Sequence, residues 1–196
     1  MQELAMKDRT KYLYAEHLTE MLKETTFDKI RVTELVRRSG TTPPTFYYHF
    51  KDKYELVAWM YLRDFSDVVG YEDAEYSPER LARIMQKMKE KRAFYKKVFA
   101  SDSQNSIAAY IHNLGLALAK DALEQAGADK LTEEQELAIA YHNFGIQGLL
   151  RDWVLSDKPM NTLILATFMY SKTPDFLKES FAKVAYEPDE LMENKL

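Results

Sequence analysis

An all-α fold is predicted for this 196-residue chain, with a three-helix N-terminal module joined by a fourth helix to a larger α-helical domain. Three observations carry that reading. Apolar residues recur at helical spacing along most of the chain, only six Gly and six Pro interrupt it, and helix-starting residues precede several of the periodic segments. The boundary is placed at 54/55, which gives a module over 1–54 and a domain over 55–196.

The first helix is expected over 5–24, where Ala15, Leu18, Met21 and Leu22 recur with helical spacing; Phe27 and Ile30 follow a break at Thr25 and Thr26. A second short helix spans 31–38 with Val32, Leu35 and Val36 inward. It closes at Ser39 and Gly40, because glycine enters the left-handed region that ends helices. Thr42 is the expected N-cap of a third helix over about 43–48. Pro43 takes its first position, where the missing N–H leaves no helical bond unmade, and Pro44 stiffens the same turn. The fourth helix runs over about 53–70 and carries Leu56, Val57, Met60 and Tyr61.

Residues 71–78 read as a turn in which Ser77 caps a helix opening at Pro78. Leu81, Ile84, Met85 and Met88 then recur at i, i+3, i+4 and i+7. Helices continue through 94–99, about 106–126, and 132–155, the last behind a capping box formed by Thr132 and Gln135. Pro159 separates a final pair near 160–171 and 175–184, and 187–190 is expected to be less ordered.

Composition narrows the function. A hydrophobic fraction of 46% with 13 Tyr and 10 Phe sustains a folded core. The absence of Cys removes disulfides, thiol nucleophiles and cysteine-ligated zinc, and fits a reducing compartment. The opening residues lead to Lys7, Asp8, Arg9 and Lys11 in place of an apolar signal core, and no stretch reaches 18 consecutive apolar residues. No membrane partner is therefore expected, and the cytoplasm is the default location. His17, His49, His112 and His142 form no ligand motif, and no nucleophile triad or glycine-rich phosphate loop is present. No metal, cofactor or catalytic residue is expected.

The net charge of −4 conceals a mild asymmetry: residues 1–54 hold ten Lys and Arg against eight Asp and Glu, the remainder 17 against 23. That distribution allows a basic docking face on an acidic body. The run from Thr41 to Leu56 says more. Two short helices joined by a tight turn can place the second in a DNA major groove when flanking helices hold them rigid. A helix over 43–48 reaches few bases, so affinity and register depend on phosphates. Tyr47, Tyr48 and His49 can donate hydrogen bonds, and Lys53 brings a fixed charge. Thr41, Pro43, Pro44 and Thr45 are the candidates for base contact, through hydroxyls or through methyl and ring contact with thymine. Leu22, Phe27, Leu35, Phe46 and Phe50 are assigned to the module core.

Gly40, Thr42, Thr45, Phe46, Tyr47, His49, Phe50, Lys53 and Leu56 together resemble the DNA-binding signature of the TetR family of bacterial regulators. The likeness extends upstream through Phe27-Asp28-Lys29-Ile30 and Val32-Thr33-Glu34-Leu35-Val36, covering about residues 8–60. It implies that Tyr47 and His49 contact phosphate, that Lys53 does so from the start of the fourth helix, that Phe46 and Phe50 brace the recognition helix and that Thr42 caps it. Two departures stand out. Arg31 occupies the position where this family usually places a capping Thr, and a guanidinium cannot accept a backbone proton. The consecutive Pro43-Pro44 is also unusual.

The remaining two thirds is expected to bind an effector and to dimerise. Residues 141–153, Tyr-His-Asn-Phe-Gly-Ile-Gln-Gly-Leu-Leu-Arg-Asp-Trp, resemble the Firmicutes-type C-terminal domain of the family, a group that includes candidate regulators of dihydroxyacetone kinase operons. The customary glycine-rich turn after the Trp is replaced by Leu155-Ser156-Asp157-Lys158-Pro159. Tyr61, Phe65, Met85, Met88, Tyr110 and Phe144 either line an effector pocket or fill a helical core. Gly145, Gly148, Leu149, Trp153 and Phe168 are assigned to a homodimer interface, since two recognition helices are needed to cover two half-sites. The His112-Asn113 and His142-Asn143 pairs read as satisfied core or interface residues.

The expected function is a sequence-specific regulator that binds double-stranded operator DNA as a homodimer. A repressor relieved by a small-molecule or protein effector is the first reading, and a partner-dependent coactivator or adaptor the alternative.

Overall fold

The computed structural model describes residues 6–69, 76–101, 107–127 and 130–182, and within them the regular structure is entirely helical. The helices are α1 (Met6–Glu24), α2 (Val32–Arg38), α3 (Pro43–His49), α4 (Lys53–Val69), α5 (Pro78–Glu90), α6 (Arg92–Phe99), α7 (Ile107–Gln125), α8 (Glu133–Leu155), α9 (Thr162–Lys172) and α10 (Asp175–Phe181). A 3-10 turn, Phe27–Lys29, stands between α1 and α2. The expected helix starts at 5 and 106, the turn at 71–75, the end of the last helix at 183–184 and the tail at 187–190 lie outside the described residues. No described helix is long and apolar enough to cross a membrane.

Local chemistry sets the helix ends. The Thr42 hydroxyl accepts from the Thr45 N–H with Pro43 at the first position, and the Ser77 hydroxyl accepts from the Arg80 N–H with Pro78 behind it. Thr132 and Gln135 complete a reciprocal capping box at α8. Arg31 stands at the N-cap of α2 with no side-chain cap bond, as a group without acceptor capacity must. The end of α2 is a Schellman motif: Gly40, at φ +62°, lets its own N–H reach Arg37 O at 3.3 Å and the Thr41 N–H reach Val36 O at 3.0 Å. That turn aims α3.

The core is continuous from module to domain. Leu22, Phe27, Leu35, Phe46 and Phe50 are buried in the same cluster as Met85, Met88 and Trp153, with α4 as the shared element. Trp59 on α4 contacts Tyr12 at 5.2 Å and Phe50 at 6.0 Å, edge to face. Beyond the module, α5 packs along α9, and α7 lies against α8, α4 and α10. A smaller cluster of Ala119, Leu123, Ile139 and Leu177 joins α7, α8 and α10.

Candidate nucleic-acid interface

Helix α3 is held from one side and open on the other. Phe46 is fully buried against Tyr14, ring centroids 5.2 Å apart, and lies 5.8 Å from Phe50. On the opposite face Tyr47 and Tyr48 are 58% and 74% exposed, and no described residue hydrogen-bonds either hydroxyl. Two phenols at successive positions, with free donors on a buried scaffold, can span adjacent phosphates. His49 is half-buried beside Tyr48, Tyr14 and Phe50, at centroid distances of 5.0, 6.4 and 6.3 Å.

The residues assigned to base contact separate into two kinds. Pro43 and Pro44 are exposed at the tip of α3 and offer apolar ring edges. The hydroxyls of Thr41 and Thr45 are engaged within the protein, Thr41 with the Tyr14 hydroxyl at 2.8 Å and Thr45 with Thr42 at 2.9 Å. Their methyl groups are what remains for a base.

Lys53 takes a different role from the one expected. Its ammonium donates to Phe27 O at 2.8 Å, Ile30 O at 2.9 Å and Asp28 O at 3.1 Å, and sits 4.7 Å from the Phe27 ring centroid. All three ammonium protons are committed to the carbonyls around the 3-10 turn, so Lys53 fastens α4 to that turn and in this arrangement offers no proton to a phosphate. Burial pulls its pKa below the usual lysine value, against the opposing charges of Asp28 and Asp52. The nearby cations without a described ion pair are Lys29 and Arg31, both exposed. Sequence reading passed over Lys29, although its place beside the α2 N-terminus was a usable signal. Arg37 and Arg38 are engaged instead with Glu34 and Glu24 at 2.7–2.9 Å; these bonds hold the Glu34 carboxyl down at about 2 and raise Arg38.

The module is tied to the rest of the chain by named polar contacts. Lys97 donates to Leu22 O at the end of α1, Ser101 donates to Asp28, and Tyr110 donates to Asp52 Oδ2 at 2.9 Å. Asp52 Oδ1 meanwhile accepts from the Tyr54 and Glu55 N–H groups at 2.8 and 2.9 Å, so Asp52 caps α4.

The expected effector-pocket residues do not stay together. Tyr61 and Phe65 line a pocket of about 110 Å³ among α4, α5, α7, α8 and α10. Met85 and Met88 do not: both are buried in the main core, because α5 presents them to its packed neighbours. Tyr110 points to Asp52 instead, and Phe144 is 65% exposed and stacks on His112 at 4.2 Å. The side chain that turns inward is Asn143, whose amide donates to His112 O at 2.8 Å and lies 2.9 Å from His112 Nδ1. Gly115 makes room for it, since a Cβ there would meet Asn143 Oδ1 at 2.1 Å.

The expected interface also divides. Gly145, Gly148 and Phe168 lie on exposed surface, and Leu149 is partly buried against the core. Trp153 is a core residue and not an interface residue: it is buried, and its indole N–H donates to Met160 O at 2.8 Å, which closes the glycine-free turn after α8. Exposed large apolar residues lie on the same two helices: Leu137, Tyr141 and Phe144 on α8 and Leu163, Ile164 and Phe168 on α9.

Residues 18–60 match the family described as bacterial regulatory proteins, tetR family. Residues 75–173, just over half of the chain, match the family described as transcriptional regulator C-terminal region. Over 94 residues the chain is 22% identical to the HTH-type dhaKLM operon transcriptional activator DhaS of Lactococcus lactis subsp. lactis (strain IL1403), an alignment covering 47% of this chain and 50% of that relative. The chain thus spans about half the length of the curated relative it matches. A solved structure of a dihydroxyacetone kinase operon activator DhaS is similar in fold, with a TM-score of 0.52 at 16% identity over 91% of this chain and 98% of the solved one.

Proposed function

Because the chain belongs to the tetR family of bacterial regulatory proteins, it is a DNA-binding transcriptional regulator and not an enzyme, and we propose that it works as a homodimer that occludes a promoter until a small-molecule or protein effector releases it. The observation that carries the DNA-binding face is the pair Tyr47 and Tyr48, exposed on a helix whose other side is buried. In this reading residues 1–54 bind the operator in the cytoplasm and 55–196 dimerise and sense the effector. Tyr47, Tyr48 and His49 meet phosphates, Pro43, Pro44 and the methyls of Thr41 and Thr45 meet bases, and Lys29 and Arg31 supply the cationic contacts. A seven-residue recognition helix is about 10 Å long, so a second copy is needed to read a second half-site about 34–36 Å away. The exposed apolar surfaces of α8 and α9 provide the face for that second copy.

A second reading is favoured by one observation: the similar protein from L. lactis is named a transcriptional activator. Under that reading the effector domain binds a partner protein, and the regulator recruits instead of blocking. A reporter gene behind the selected operator separates the two. Deleting the regulator raises expression under the first reading and lowers it under the second; expression unchanged by deletion contradicts both.

A further inference from the structure

We propose that Asp52 and Tyr110 are positioning residues for operator recognition: the hydrogen bond between them braces the turn after α3 against α7, and so fixes how α3 presents its outer face to DNA. This rests on the reading of the chain as an operator-binding regulator and extends it to two side chains to which no DNA contact is assigned.

The turn is short and already held on the module side. Helix α3 ends at His49 and α4 begins at Lys53. Between them Phe50 is buried, and its N–H bonds to Phe46 O at 2.9 Å. The buried Glu55 carboxylate accepts from the Lys51 N–H, and Asp52 Oδ1 accepts from the Tyr54 and Glu55 N–H groups at 2.8 and 2.9 Å. A segment bonded in this way moves with its carboxylates, because close-packed structure transmits a displacement instead of absorbing it.

The second oxygen of Asp52 reaches out of the module. Tyr110, on α7, donates to Oδ2 at 2.9 Å, and its ring lies nearly parallel to that of Tyr54, 6.3 Å away. Tyr54 in turn packs edge to face on Phe27 at 5.2 Å. Lys97 and Ser101 tie the domain to other places, the end of α1 at Leu22 O and the 3-10 turn at Asp28. The Tyr110 bond is the one of these three that lands on the turn after the recognition helix.

Specific and non-specific binding depend on that brace unequally. Non-specific binding is carried by phosphate charge and tolerates a range of orientations, whereas base readout needs the groups of α3 at defined places in the groove. A turn held in place before DNA arrives removes the need to order it on binding. Without the Tyr110 bond that ordering falls on the complex that requires a fixed α3, which is the specific one.

The test measures the full purified chain against its selected operator fragment and against a scrambled duplex of equal length, by fluorescence anisotropy, at a temperature where circular dichroism shows every variant folded. Tyr110→Phe should weaken operator binding by about 3–10-fold, the worth of one hydrogen bond, and leave the scrambled duplex at parental affinity, so that the specificity ratio falls by the same factor. Asp52→Asn should keep the parental ratio, because the amide oxygen still caps α4 and the amide nitrogen can donate to the Tyr110 oxygen. Asp52→Ala should lose at least as much as Tyr110→Phe. Thr173→Val is the control for stability alone: it removes a hydroxyl bonded to Tyr76 at 3.0 Å and to Met169 O at 3.1 Å, and should lower the melting temperature with both affinities parental. A Tyr110→Phe variant with the parental ratio, or one that weakens both duplexes equally, overturns the proposal. So does a Thr173→Val variant that lowers the ratio as much as Tyr110→Phe does. A parent that prefers no sequence refutes the regulator reading and this role with it; a parent that finds its operator while Tyr110→Phe keeps the ratio refutes the role alone.

Discussion

The Tyr110 phenol donates to Asp52 Oδ2 at 2.9 Å while the other oxygen of the same carboxylate caps α4 through the Tyr54 and Glu55 N–H groups. The rings of Tyr54 and Tyr110 lie nearly parallel, 6.3 Å apart at 10°. One side chain, three residues after α3 ends, thus holds both the start of α4 and helix α7. Burial, the hydrogen bond and the neighbouring charges of Asp52 and Glu55 all raise the Tyr110 pKa, so the phenol stays a donor at any physiological pH.

From this geometry Tyr110→Phe is expected to lower stability by about 0.5–1.5 kcal/mol, the net worth of one hydrogen bond. Asp52→Ala should lower it further, by about 1 kcal/mol more, because the helix cap is lost as well. The double variant should match Asp52→Ala alone, since the two act through one carboxylate. Urea unfolding monitored by circular dichroism measures all three; strict additivity would show that the two residues are not coupled.

Lys53 and the tyrosines should fail differently. Lys53→Met, which removes a three-carbonyl clamp, is expected to lower the melting temperature and leave the salt slope of DNA binding unchanged. Tyr47→Phe with Tyr48→Phe should weaken DNA binding by about 3–10-fold per phenol with little change in melting temperature, given how exposed both are. A Lys53→Met variant of unchanged stability whose salt slope falls by about one would return Lys53 to a phosphate.

His142 gives a pH signature. Its folded-state pKa of about 4 lies below the unfolded value of 6.5, so the unfolded chain binds the extra proton and stability is lost as pH falls from about 6.5 towards 4. The carboxyls of Glu24, Glu34, Asp157 and Asp175 are all held below their ordinary values of 3.8–4.5, and they act further down the scale. His142 contributes in the window from pH 6.5 to 4.5, and His142→Gln should flatten the melting-temperature profile there. An unaltered profile would assign the slope to another group.

Gly148 has open space where a Cβ would stand, and Phe144 and Ile164 are exposed at 65% and 63%. Phe144→Glu combined with Ile164→Glu should leave helix content intact and move the species from dimer to monomer in sedimentation velocity at micromolar concentration, since charges at an apolar interface are strongly unfavourable. A dimer that persists would place the interface elsewhere.

What the sequence made legible was local. Thr42, Ser77, Thr132 and Gly40 act on backbone atoms within five residues, so their chemistry is visible without a fold. Lys53 and Tyr110 find their partners 23 to 58 positions away; charge and family resemblance pointed Lys53 to a phosphate, and residue type pointed Tyr110 to a pocket. Helix α8 had Phe144 among the candidate pocket residues for a different reason. It carries apolar residues on several faces, so periodicity could not decide whether Asn143 or Phe144 turns inward; the hydrogen bonds to His112 decide it.

The central claim is that α3 presents Tyr47 and Tyr48 to an operator. The most direct measurement selects genomic fragments with the purified chain, then follows the best fragment by fluorescence anisotropy across a salt series, for the parent and for the Tyr47→Phe, Tyr48→Phe variant. The account predicts enrichment of a palindromic site, and weaker binding by the variant at every salt concentration with nearly unchanged slope. Binding without sequence preference at moderate salt, or a variant with parental affinity, would contradict it.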